Sequence, residues 1–124
     1  MTSFTTARKR AANLGTAREG TQHHWNNIVT SLALLVLVPV FVFTFGSILG
    51  RPYEEAREAM GNPFVAILVG LTLLVGLIHF RHGVQVVLED YAHGLARQLM
   101  VIAAVCVTYL LLAAGLFAVA RIAL

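Results

Sequence analysis

Three stretches of this chain carry no charged side chain: residues 28–50, 59–80 and 98–120. Each is long enough to cross a hydrocarbon core, which takes roughly 20 apolar residues in a helix for a thickness of about 30 Å. Lipid offers no partner to a free N–H or C=O, so helices, whose bonds close within the segment, are expected rather than strands. The charges gather between the stretches. Arg8, Lys9, Arg10, Arg18 and Glu19 precede the first, Arg51 to Glu58 follow it, Arg81 to Arg97 separate the second from the third, and Arg121 lies near the end. Apolar residues make up 58% of the chain and charged residues 12%, against roughly 45–50% and about 25% in soluble domains. The expected fold class is an all-α integral membrane protein, with three transmembrane helices forming part of a helix bundle.

One membrane-anchor domain is expected over 1–124: a polar cytoplasmic arm over 1–22, then helices at about 25–49, 64–89 and 96–121. The Ser/Thr/Arg-rich start shares some composition with a transit peptide, but the apolar run begins too late and lasts too long for a secretory signal. Trp25 stands where a membrane interface would lie. Pro39 is expected to kink the first helix, and Gly50, Arg51 and Pro52 to end it. Tyr53 to Glu58 reads as a short surface turn. Ala114 and Ala118, at small-xxx-small spacing, offer a close-packing face to another helix.

The net charge of +3 raises the question of nucleic acid, but the basic residues flank apolar helices as topology signals do. Arg8, Lys9, Arg10, Arg18, Arg81 and Arg97 fall on one side of a three-span chain, and Arg51, Arg57 and Arg121 on the other. That balance puts the amino terminus in the cytoplasm and the carboxyl terminus in the periplasm. The single Cys106 excludes a disulfide framework and reads as a small packed side chain.

Ionisable groups inside a membrane are costly and point to function. They concentrate on the second helix, where Ile78 is followed by His79, Arg81, His82, Gln85, Glu89 and Asp90. At 100° per residue, Gly76, His79, Gly83 and Asp90 project within about 60° of one another. Glycines on either side of His79 strip the helix surface and leave a slot into which a planar macrocycle fits, and a neutral imidazole is a good haem ligand. The same pattern also describes a histidine hydrogen-bonded to a neighbouring helix, with glycines serving helix packing. His82 suits either a cofactor contact or a polar interfacial role, and Arg81 either snorkels or meets an anionic propionate. Asp90-Tyr91 lies about 18 Å along the helix from His79. A phenol beside a carboxylate can donate to a carbonyl and tune proton transfer. Glu89 and Asp90 also oppose the helix dipole at that end, a local cost that again hints at function.

His79, Gly83, Gln85 and Asp90-Tyr91 spell H-x-x-x-G-x-Q-x-x-x-x-D-Y. This resembles the second-helix signature of the hydrophobic membrane anchor of succinate dehydrogenase (the cytochrome b556-type small anchor of respiratory complex II), in an alphaproteobacterial-like form. The three-helix plan, the length and the His-His-Trp before helix I are similar too. The resemblance implies that His79 is one axial ligand of a haem b shared with the complex's other anchor, with Gly76 and Gly83 forming the slot. It implies that Tyr91, supported by Asp90, hydrogen-bonds ubiquinone near the iron–sulfur subunit, while the flavoprotein oxidises succinate. His82 and His24, or its neighbour His23, are further candidates near the cofactor. Ile28 stands where many relatives carry an arginine, so an arginine contact to propionate or quinone does not carry over. A bacterial inner membrane is the implied location. By itself the chain is expected to catalyse nothing. The competing readings are an anchor of fumarate reductase or another quinone-linked complex, and a non-redox small membrane protein.

Overall fold

The computed structural model describes residues 7–8 and 19–124. Most of the expected arm, 1–6 and 9–18, lies outside the described residues. The described chain is helical throughout its elements: α1 (Glu19–Ile48), α2 (Tyr53–Gly61), α3 (Pro63–Tyr91) and α4 (Gly94–Ala123). Three of these, over Thr21–Ile48, Pro63–Tyr91 and Gly94–Ala123, are long and apolar enough to cross a membrane. α3 lies in the middle, packed on α1 along one side and on α4 along the other, and α2 rests against α3 and α4.

The helix ends follow from local chemistry. α1 starts at Glu19 rather than near Trp25, because a helix persists into water wherever polar residues can still form it; the uncharged run marks the lipid-facing part only. It continues without interruption through Pro39 to Ile48. Gly50 then takes a positive φ of 84°, a conformation that costs a glycine little. Tyr53 to Gly61 is a helix rather than a turn, with Glu54 and Glu55 in its first turn, where acids favour the dipole. Asn62 closes α2 and opens α3: its Oδ1 accepts from the Phe64 N–H at 2.9 Å, with Pro63 at the first helical position. That Asn-Pro pair is a strong start signal, since proline has no N–H to leave unpaired and restricts the residue before it to extended geometry. Only Ala92 and His93 separate α3 from α4, and Gly94 has φ 62°. The tight link makes the two helices antiparallel neighbours.

Very little of the chain is buried within itself. Ile48, Ala66, Leu68 and Thr108 are the buried residues among those described, while Leu35, Phe43, Leu110 and Phe117 are 68–81% exposed. In water this surface would be intolerable; in lipid or against other helices it is ordinary. Two threonine hydroxyls inside the spans are satisfied by their own helices. Thr72 Oγ1 donates to the Leu68 carbonyl and Thr108 Oγ1 to the Ala104 carbonyl, both at 2.7 Å, as lipid requires of a polar group.

Two packing expectations are not met within the chain itself. Ala114 and Ala118 are exposed, and the close approach belongs to Gly115, where an added Cβ would collide with the Leu73 side chain of α3. Cys106 is also exposed. The helical period turns Ala104, Thr108 and Gly115 toward α3 and puts Cys106 on the outer side of α4.

Candidate functional site

The antiparallel packing of α1 on α3 brings the amino-terminal third of α1 beside the second half of α3. Thr30 of α1 sits opposite His79, its Oγ1 lying 3.1 Å from His79 Nδ1. About two turns nearer the start of α1, the His23 ring meets His82 edge-on, with centroids 4.9 Å apart. These two pairs fix the register: as α1 is read backwards, α3 is read forwards.

His79 is half-buried, held on one side by Thr30 and open on another to a groove of about 430 Å³. The groove is lined by His79, Phe80, Gly83, Val84, Val87 and Leu88. A Cβ added at Gly83 would meet nothing within 4 Å, so this residue leaves clear space beside the imidazole. Gly76 does something different. Its added Cβ would touch Leu34 of α1 at 3.9 Å, which places it at the helix–helix contact rather than on the groove. One glycine thus opens space and the other admits a neighbouring helix.

Arg81 turns to the other flank of α3. Its Nη1 donates to Tyr109 Oη at 3.0 Å, and its guanidinium carbon lies 5.5 Å from the centre of the same ring. A charged guanidinium held by a phenol and its π face is stabilised without an acid. Arg81 Nε is buried without a partner among the described residues, as are Asn27 Oδ1 and His82 Nδ1.

Asp90 and Tyr91 end α3, and both are exposed, Tyr91 by 85%. Just before them Gln85 Nε2 donates to Glu89 Oε1 at 2.9 Å, and Arg97 of α4 approaches the same oxygen at 3.9 Å. The arginine across the hairpin offsets the acid at this helix end. Asp90 and Tyr91 are thus not gathered with His79; they form a separate, outward-facing pair at the hairpin tip. His24 is exposed and is not brought to the cluster, whereas His23 is.

Residues 2–114 match the family described as Succinate dehydrogenase/Fumarate reductase transmembrane subunit. The chain belongs to this family. The Succinate dehydrogenase hydrophobic membrane anchor subunit of Paracoccus denitrificans is 37% identical over 121 residues, covering 98% of this chain and 94% of that protein. No solved structure matches the chain. For a transmembrane subunit of this family, the signature on α3 is the part of the site that sequence makes visible. Thr30 and Tyr109, which α1 and α4 bring to α3, had no such signal, whereas His23 was a candidate together with His24. Thr30 and Tyr109 are common residues whose partners lie 28 or more positions away, a pairing that no periodicity reveals.

Proposed function

We propose that this chain is one of two membrane anchors of a succinate dehydrogenase. In this reading His79 supplies one axial ligand to a b-type haem shared with the second anchor, and Asp90 and Tyr91 contribute to the site of ubiquinone reduction. The observation that carries it is that His79 edges an apolar groove in which Gly83 presents no side chain. The identity with the Paracoccus anchor favours succinate dehydrogenase over fumarate reductase.

The residues present suit a haem. His79 offers an imidazole nitrogen, Gly83 offers clearance, and Val84, Val87 and Leu88 offer a wall that keeps water from the ligand. Arg81, turned to the other flank of α3 and engaged with Tyr109, does not line this groove. What such a haem supplies is a one-electron carrier whose potential the protein tunes through ligand and surroundings. At the hairpin tip, the exposed phenol of Tyr91 donates a hydrogen bond to a quinone carbonyl, and the Asp90 carboxylate beside it can hold a proton for delivery. The partners are the flavoprotein that oxidises succinate, the iron–sulfur subunit and the second anchor. The location is a bacterial inner membrane, with the amino terminus and the α3–α4 hairpin on the cytoplasmic side.

The deciding experiment is a reduced-minus-oxidised optical spectrum of the purified complex, wild type against His79→Leu. A b-type signal lost or altered in the variant supports the reading. A signal unchanged by the substitution would move the ligand elsewhere.

A further inference from the structure

The hydroxyl of Thr30 has three acceptor or donor atoms around it and one hydrogen to give. Asn26 O lies at 2.9 Å, Asn27 O at 3.1 Å and His79 Nδ1 at 3.1 Å. Carbonyl oxygens only accept, so the Thr30 hydrogen is drawn to them, as threonines in membrane helices commonly bond back to their own turn. If it pointed to His79 instead, two carbonyl lone pairs would face the Oγ1 lone pairs at hydrogen-bond distance with no hydrogen between them. The remaining arrangement has Nδ1–H of His79 donating to Thr30 Oγ1. The lone pair of the neutral ring then belongs to Nε2.

We infer that Thr30 is a positioning residue for the metal ligand: by accepting from Nδ1–H it holds the His79 ring in the tautomer whose Nε2 binds iron. This rests on the haem assignment given above and adds to it the group that orients the ligand. Metal-bound histidines nearly always donate their second N–H to such a partner, which fixes the ring and raises its basicity. Here the partner is itself fixed. Thr30 is β-branched, so its χ1 has few choices in a helix, and the carbonyls of Asn26 and Asn27 select the rotamer that aims the oxygen across to α3. α1 thus acts on the ligand without touching the metal. A more basic ligand stabilises ferric over ferrous iron, so this hydrogen bond lowers the haem potential.

The test uses the assembled complex with Thr30→Val, which keeps the branched shape and removes the acceptor, and Thr30→Ser, which keeps the acceptor. Removing an outer-shell partner typically costs 10–100-fold in metal affinity. A tenfold loss confined to the ferric form corresponds to a rise of about 59 mV in the one-electron potential. The expected result is therefore lower haem retention and a higher midpoint potential in Thr30→Val, with both restored in Thr30→Ser. A potential and haem content in Thr30→Val equal to wild type would overturn the role of Thr30 and leave His79 as ligand. Equal shifts in the Val and Ser variants would overturn it too, by showing that packing rather than the hydroxyl matters. A haem spectrum indifferent to His79→Leu would remove both the ligand assignment and its positioning partner.

Discussion

Substituting the glycines on the two flanks of α3 should separate cofactor loading from folding. An added Cβ at Gly83 meets nothing within 4 Å, whereas at Gly115 it collides with Leu73. Alanine in place of glycine favours a helix by up to about 1 kcal/mol in water. In lipid the helix stays hydrogen-bonded even when unpacked, so the gain is at most that. Gly83→Ala should therefore leave stability unchanged or slightly raised. Gly115→Ala forces Leu73 to shift inside a helix–helix contact, and overpacking of that kind costs about 1–3 kcal/mol. Packing is what holds membrane helices together once lipid has removed the hydrophobic drive, so that cost falls directly on the α3–α4 pair. Leu73→Ala in the same chain should absorb it, with a coupling of about 0.5–3 kcal/mol.

Cofactor loading should follow the opposite order. Gly83→Leu puts a branched side chain into the groove beside His79 and should abolish the haem signal while the complex remains assembled. Gly115→Ala, on the far side of α3, should leave haem per complex unchanged in whatever fraction folds. The assay is haem content by difference spectrum, together with thermal unfolding of the purified complex. Full haem occupancy in Gly83→Leu would refute the groove as the haem site. A loss of stability in Gly83→Ala equal to that in Gly115→Ala would refute the contrast between open and packed flanks.

Two further outcomes test the remaining parts. Tyr91→Phe removes one hydrogen bond, worth about 1 kcal/mol or roughly fivefold in rate. Quinone reductase activity should fall by that order while succinate oxidation with an artificial acceptor stays constant; unchanged quinone kinetics would take Tyr91 out of the site. A cytoplasm-dependent reporter should work when fused before Met1 and fail when fused after Leu124, and activity at both ends would break the three-span arrangement.

The membrane architecture was legible because lipid imposes a simple rule: long uncharged runs must be helices. The limits of the helices were less so. Glu19 to His24 and Pro63 to Tyr91 show why: helix ends are set by caps and solvent, not by where apolarity fades. The His79–Gly83 relation could be read in advance because both residues sit on one helix and the helical period relates them. Gly76 sits at the same angle but serves packing, since the identity of the element facing it depends on tertiary structure. For the same reason Thr30 and Tyr109 stayed invisible. Each becomes meaningful only after α1 and α4 have chosen their register against α3.

If His79 ligates a haem as proposed, this protein supplies half of the site. The described residues contain no cluster of three or more His, Cys, Asp or Glu side chains able to hold a metal ion. His23 is engaged with His82, His24 is exposed, and His93 sits in extended backbone at the start of α4. None lines the groove with His79. A haem seated there with two histidine ligands would take the second from another chain, and the exposed apolar faces of Phe80 and Val87, 55% open each, provide the surface on which that chain would close. Produced without its partner, the protein should therefore show no six-coordinate b-type spectrum even with haem supplied, and co-production with the second anchor should restore it. A stable six-coordinate spectrum from the chain alone would mean that one of its own side chains reaches the iron, and would refute the shared site.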